Sequence, residues 1–281
     1  MRRIAFFDLD GTLCNSHGNV LPTSIEAIRK FRHEGNLAFI CTGRSKPEIL
    51  DNILSIGFDG VIGAGGGFIT INNELVFHQT LDKEIVFSMI EYFKENDIGY
   101  YIESNDGLFG SDNYVRKIQE EIQKIATREG RSFEELNQQL TWFYELVNQY
   151  DSHKIDYSNI NKISFINNTV PYEVIKKKFG ATCHLYHGTV SLFGPESGEI
   201  AVKGVDKERA VMQVLELLKI EKEAAIAFGD GDNDLAMFEA VGYKVAMGNG
   251  TEKLKKMADE ITDTADNNGI ATSFERGNWI K

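Results

Sequence analysis

The sequence predicts an α/β protein in which a doubly wound parallel sheet is interrupted by an inserted α+β domain. Three observations carry this expectation. Short, continuous apolar runs alternate with amphipathic helical stretches over the first 80 or so residues and again in the last third. That is the rhythm of buried parallel strands joined by helices. The middle, 82–201, instead mixes long polar helical stretches with alternating, strand-like segments. Finally, several of the apolar runs end abruptly in acidic or hydroxyl residues, as strands do where an open α/β sheet binds its ligand.

The elements follow in order. IAFF (4–7) is a strand that runs into Asp8 and Asp10, with Gly11 and Thr12 breaking it. TSIEAIRKF (23–31) is a helix with Ile25, Ile28 and Phe31 on one face, ended by Gly35. LAFIC (37–41) is a central strand. Pro47 suits a helix start, with Ile49, Leu50, Ile53 and Leu54 as its buried stripe. VIGAGGG (61–67) is a strand entering a glycine turn, and FITINNELVF (68–77) is hairpin-like.

In the middle segment, 113–130 and 133–150 read as helices, and GYYIES, KISFIN, CHLYHG and TVSLFG as antiparallel strands. The hinges fall near Thr80–Asp82 and Ala201–Gly204, so 1–81 with 202–281 forms one domain and 82–201 another. A helix over Lys207–Leu218, a strand AAIAF (224–228) ending in GDGDND, a helix LAMFEAV and a strand KVAM follow. A helix near Leu254–Met257 and a short strand at Glu260–Thr262 complete the pattern.

Composition narrows the function. The chain has 281 residues, is 42% hydrophobic and 26% charged, and has four prolines, which fits a globular enzyme and excludes a disordered chain. A net charge of −12 disfavours nucleic-acid partners. Cys14, Cys41 and Cys183 are widely spaced with no C-x-x-C pair, so neither a disulfide framework nor a zinc site is expected. The start, Met1-Arg2-Arg3, is followed by no adequate apolar stretch before Asp8. It is not a signal peptide, no run reaches membrane-span length, and the expected compartment is the cytoplasm.

Four separated segments converge on one chemistry. Asp8 and Asp10 end the first strand. Thr42, Gly43 and Arg44 follow LAFIC. Lys207 opens the helix returning from the insert, and Asp230, Asp232, Asn233 and Asp234 end AAIAF. In a parallel sheet these ends lie on one edge. Two carboxylates at a buried strand end are costly unless a cation or a reaction needs them. Phosphoryl transfer consists mostly of positioning and charge neutralisation. Lys207 supplies a fixed positive charge, and Thr42 with the Gly43 N–H supplies donors. Asp8 and Asp230 are hard oxygen ligands suited to Mg²⁺. Asp8 is also a competent nucleophile towards phosphorus. Asp10 is placed to protonate the leaving oxygen and then to deprotonate water. Leu9, between the two aspartates, joins Thr42, Gly43 and Lys207 as a candidate phosphate-binding position.

The four segments FFDLDGTL, CTGR, GVDKERAV and GDGDNDLAMF resemble the motifs of the haloacid dehalogenase (HAD) superfamily, over nearly the whole chain. An insert between the second and third motifs resembles the Cof-type phosphatases, whose large α/β cap closes over the substrate. The resemblance implies a Mg²⁺-dependent phosphatase acting through an aspartyl-phosphate on a small phosphorylated metabolite such as a sugar phosphate. It makes Asp8 the nucleophile and Asp10 the general acid/base, with the main-chain oxygen of Asp10 on Mg²⁺. Thr42 and Asn233 would bind phosphate, Lys207 would be the motif lysine, Asp230 the metal aspartate, and Asp234 a support for the metal's water shell. Arg44 matches the TGR ending. The chain departs from the family pattern in Glu208, where Gly is usual after the lysine, and in Gly65, where Asn is usual near the first hinge.

Several readings stay open. Lys203 rivals Lys207 as the motif lysine. Hydrolysis and phosphoryl transfer to a second hydroxyl use the same residues, and a receiver-like module or a non-catalytic phospho-ligand sensor would share them. Asp232 is expected at the rim. GAGGG lacks the following helix that a dinucleotide fingerprint needs. His184 and His187, three apart in a strand, point to opposite faces. Trp142, Phe143 and Tyr144 are expected in the core of the insert. Tyr101, Glu103 and His187 are candidates for contacts with the substrate, and the oligomeric state is not readable.

Overall fold

The computed structural model describes residues 2–188 and 190–280. The chain begins with β1 (Ile4–Phe7), α1 (Pro22–His33), β2 (Leu37–Cys41), α2 (Asp51–Leu54), β3 (Gly60–Gly63), β4 (Phe68–Ile71) and β5 (Glu74–His78). It continues through α3 (Lys83–Glu95), β6 (Gly99–Ser104), β7 (Leu108–Gly110), α4 (Tyr114–Glu129), α5 (Phe133–Gln138), α6 (Thr141–Val147), β8 (Ile160–Ile166), α7 (Tyr172–Phe179), β9 (Cys183–His187) and β10 (Gly198–Val202). It closes with α8 (Lys207–Leu218), β11 (Ala225–Gly229), α9 (Leu235–Glu239), β12 (Tyr243–Ala246), α10 (Glu252–Met257), β13 (Glu260–Ile261) and α11 (Gly269–Arg276). Among the described residues no helix is long and apolar enough to cross a membrane.

Two compact units result. The first comprises 1–44, 49–78 and 205–281, and the second comprises 45–48 and 79–204. The first is built on an eight-stranded sheet in the order β13-β12-β11-β1-β2-β3-β4-β5. From β13 to β3 every pairing is parallel, and β4 and β5 add an antiparallel hairpin at one edge. The period of two in β1 sorts its side chains onto two cores. Ala5 and Phe7 pack with Ile28, Phe31, Ile40, Phe228 and Phe274. Ile4 and Phe6 pack with Phe39, Ile62, Val211, Val214 and Phe238. Helices therefore cover both faces, which is why these strands read as unbroken apolar runs. Gly66, in the turn after β3, has φ +112 and lies so close to the Asp206 carbonyl that a Cβ would sit 2.5 Å from it.

The second unit is an antiparallel sheet in the order β7-β6-β8-β10-β9. One face packs Ile102, Ile163, Phe165 and Ile200 against Val86, Met89, Phe93, Ile175 and Phe179 of α3 and α7. The other packs Tyr101, Leu108 and Ile166 against Ile118, Ile122, Phe143 and Phe193.

Several local expectations are corrected. TVSLFG is not a strand: residue 189 lies outside the described residues, and Ser191–Phe193 forms a single 3₁₀ turn. Leu192 and Phe193 are both buried in the same cluster, which consecutive strand residues cannot be. The strand of this region is β10, further along. The stretch 133–150 is broken into α5 and α6 rather than one helix. Pro47 heads only a 3₁₀ turn, Lys46–Glu48. In the stripe that follows, Ile49 and Ile53 are buried but Leu50 and Leu54 are 39% and 42% exposed, because α2 has a single turn. Trp142 is exposed while its neighbour Phe143 is buried, since adjacent helical positions point in different directions.

Candidate active site

The carboxyl ends of β1, β2 and β11 carry the candidate residues of the first unit. The Asp8 N–H extends the ladder, donating to the Phe228 carbonyl (3.0 Å), as the Thr42 N–H does to Ile62 (2.9 Å). Asp8, Thr42, Lys207 and Asp234 are all buried. Lys207 opens α8, whose N-cap Asp206 accepts a hydrogen bond from the Arg209 N–H. Its Nζ donates to Asp8 Oδ1 and to Asp234 Oδ1, both at 2.6 Å. Asp234 Oδ2 accepts the backbone N–H groups of Asp230 and Gly231, both at 3.0 Å. Asp230 Oδ1 accepts the Thr12 hydroxyl at 3.1 Å.

Asp8, Asp230 and Asp234 each offer a carboxylate oxygen within 4.8 Å of the others. Burial pushes the Asp8 carboxyl up to about 8, and Asp234 adds to the rise while Lys207 opposes it. Burial likewise raises Asp230 to about 6, again with Asp234 adding and the Thr12 hydroxyl opposing. Burial works against the Lys207 ammonium, but the carboxylates of Asp234 and Asp8 outweigh it and hold its pKa above the ordinary value. Three carboxylates thus lie around one ammonium that pairs with two of them, and burial together with their mutual repulsion raises Asp8 and Asp230. A divalent cation fits this donor set, which is all hard oxygen. Asp8 and Asp230 would hold it. Both oxygens of Asp234 are already engaged, one by Lys207 and one by the backbone, so Asp234 would serve as a support.

Asp10 stands apart from this cluster. Its side chain is 64% exposed, and both of its oxygens pair with Arg44, at 2.9 and 2.6 Å. The Arg44 N–H donates to the Thr42 hydroxyl (3.1 Å), so Thr42, Arg44 and Asp10 form a chain. Gly43, between Thr42 and Arg44, is half-buried. The Leu9 side chain lies in the core, so only its backbone is available to a ligand. Asn233 is exposed in the 3₁₀ turn Asp232–Asp234. Asp232 is exposed too and accepts the Thr251 hydroxyl (2.7 Å), a rim position. Lys203 is exposed and donates to the Ala181 carbonyl (2.9 Å); Lys207 is the lysine brought to Asp8. All three cysteines are free and buried, and burial pushes the Cys14 and Cys41 thiols up to about 11 and about 12. Neither is an activated nucleophile.

Of the candidates on the second unit, Glu103 is fully buried. It accepts hydrogen bonds from the Ser45 and Ser164 hydroxyls. Tyr101 is buried, with its ring 4.9 Å from that of Phe143. His187 is exposed and stacked on Tyr172 at 3.7 Å between centroids. Glu103 and Tyr101 are therefore structural in this state. The sequence reading missed two groups at the Asp230 carboxylate. Thr12 lies inside FFDLDGTL, where its place in the sequence signals only the end of the strand. Asn249, whose Nδ2 donates to the Gly11 carbonyl at 2.8 Å and lies 3.4 Å from Asp230 Oδ2, sits in a Gly-Asn-Gly turn after a strand, a pattern that could have flagged it.

Comparison with known proteins gives similarities over nearly the whole chain. The haloacid dehalogenase-like hydrolase profile matches residues 5–274. Phosphatase YwpJ of Bacillus subtilis (strain 168) is 26% identical over 284 residues, covering 96% of this chain and 98% of its own. The 5-amino-6-(5-phospho-D-ribitylamino)uracil phosphatase YwtE of the same organism is 25% identical over 270 residues, covering 94% of each. A solved structure of a hypothetical protein from Geobacillus kaustophilus HTA426 superposes with a TM-score of 0.81 at 22% identity, over 100% of both chains.

Proposed function

We propose that this chain, which belongs to the haloacid dehalogenase-like hydrolase family and is a phosphatase, hydrolyses a small phosphomonoester through an aspartyl-phosphate on Asp8, with Mg²⁺ held by Asp8 and Asp230. The observation that carries the reading is the Lys207 ammonium, buried and shared between Asp8 and Asp234, beside a third carboxylate that a bound cation would balance. Bound Mg²⁺ supplies positive charge to the phosphoryl oxygens.

The residues then divide the work. An Asp8 carboxylate oxygen attacks phosphorus while the ester P–O bond breaks, and Asp10 passes a proton to the departing alkoxide. Water next attacks the same phosphorus, Asp10 takes its proton, and the bond to Asp8 breaks to release inorganic phosphate. Asp10 must exchange at least one Arg44 contact for the reacting oxygen. Lys207 keeps the Asp8 carboxylate oriented, Thr42 and the backbone N–H groups of Leu9 and Gly43 receive phosphoryl oxygens, and Asn233 contacts the same group from its turn.

The substrate class is a phosphate ester on a short polyhydroxylated carbon chain. The relative YwtE, named as a phosphatase of a phosphoribityl compound, supports it. The test is a panel of phosphorylated metabolites assayed for phosphate release with Mg²⁺ and with chelator. Release on polyol and sugar phosphates, lost with chelator and restored by Mg²⁺, is expected. Release indifferent to chelation overturns the metal assignment, and phosphate recovered on an acceptor hydroxyl in place of free phosphate overturns hydrolysis.

A further inference from the structure

We propose that Asn249 is a positioning residue for the metal-binding carboxylate Asp230, locking it to the loop that carries the nucleophile. Asn249 lies in the turn 248–251 between β12 and α10. Its amide is used at both ends. Oδ1 accepts the Ala265 N–H at 3.1 Å. Nδ2 donates to the Gly11 carbonyl at 2.8 Å and faces Asp230 Oδ2 at 3.4 Å. The orientation of the amide follows from these partners, since an N–H must meet oxygen and a carbonyl must meet NH₂.

The Asp230 carboxylate is thus gripped on each oxygen by a different segment, Oδ1 by Thr12 and Oδ2 by Asn249. Gly11 makes the close approach feasible. At φ +78, a Cβ there would sit 2.3 Å from Asp230 Oδ2. The turn itself is tied to the same loop, because the Thr251 N–H donates to the Asp230 carbonyl (2.8 Å) and the Thr251 hydroxyl donates to Asp232 (2.7 Å). A neutral amide suits the position. It fixes the plane of the carboxylate without placing a positive charge where the cation would compete with it. Mg²⁺ tolerates little departure from octahedral geometry, so outer groups that orient its ligands govern affinity.

This inference rests on the reading of Asp230 as a metal ligand, and calorimetric titration of Mg²⁺ into metal-free protein separates the two. Wild type should bind. Asn249→Ala should bind about tenfold more weakly, with kcat at saturating Mg²⁺ and KM for the phosphomonoester each within about threefold of wild type. Thr251→Ala, which loosens the turn through Asp232, should lower the unfolding temperature and leave Mg²⁺ affinity within about twofold. Unchanged affinity in Asn249→Ala, or equal weakening in Thr251→Ala, overturns the proposal. Wild type that binds no Mg²⁺ overturns the metal reading, and this one with it. Asn249→Ser, too short to reach both acceptors, asks the same question if the alanine variant does not fold.

Discussion

Each unit holds a buried lysine among three carboxylates, Lys207 in the first and Lys162 in the second, and the two clusters differ in what surrounds them. In the first unit Lys207 meets Asp8 and Asp234, with Asp230 grouped beside them, at the ends of parallel strands. In the second, Lys162 lies 2.8 Å from Glu199 and 3.3 Å from Glu103, with Glu48 nearby. Ser45 and Ser164 donate to Glu103, and the Ser45 N–H donates to Glu48 (2.7 Å). Burial pushes Glu103 up to about 8, with Lys162 opposing the rise and Glu48 and Glu199 adding to it. Among the described residues, only the first cluster brings three such ligand atoms within 4.8 Å of one another. In the second cluster the Ser45 and Ser164 hydroxyls both meet Glu103, while in the first the Thr12 hydroxyl meets Asp230 and the Lys207 ammonium is divided between Asp8 and Asp234. Equal charge counts can therefore be arranged differently, with hydroxyls around the shared carboxylate in one case and three closely grouped carboxylate oxygens in the other.

The sharpest way to break this contrast is Asp8→Asn. The change is nearly isosteric and removes the nucleophile. Phosphate release should fall by at least about a thousandfold, with the circular-dichroism spectrum and unfolding temperature retained. The next is a matched pair. Lys207→Met and Lys162→Met each strip the ammonium from a buried cluster and should each cost about 3 kcal/mol or more in urea unfolding. Mg²⁺ should restore part of the loss in Lys207→Met and none in Lys162→Met; equal rescue would erase the distinction.

A smaller effect concerns pH. Because the Glu103 carboxyl is raised in the folded state from 4.5 to about 8, its contribution to stability is fully present below about pH 4.5 and is lost as pH rises through about 8. Glu103→Gln should therefore gain stability relative to wild type between pH 5 and pH 8 in urea titrations, and a constant difference would place the carboxylate as ionised throughout. The smallest is Asp232→Ala at the rim. It should change kcat and KM by less than about twofold, as an exposed position away from the cluster does.

What the sequence disclosed follows the physics of burial. Strands covered on both faces cannot carry polar residues within them, so the polar ends of IAFF, LAFIC and AAIAF stood out, and Lys207 was marked by the helix it opens. The second cluster was not legible for the converse reason. In GYYIES, Glu103 occupies the polar half of an alternating strand, which normally faces water, and its burial depends on what packs over that face. The helix break near Gln139 and the 3₁₀ turn at Ser191–Phe193 are likewise decided by which side chains reach the shared cluster. Asn249 acts through amide geometry supplied by Gly11 and Ala265, which are distant in sequence.

The segment Ser45–Glu48 belongs with the second unit although Arg44 and Ile49 on either side belong with the first. The polypeptide therefore passes from one unit to the other four times, at 44/45, 48/49, 78/79 and 204/205, instead of the two passages of a simple insertion. Excising 79–204 and rejoining the ends would leave Ser45 and Glu48 stripped of the sheet that receives them. A minimal catalytic half must also be redesigned over those four residues, and any transplant of the inserted half into a related scaffold must carry them along.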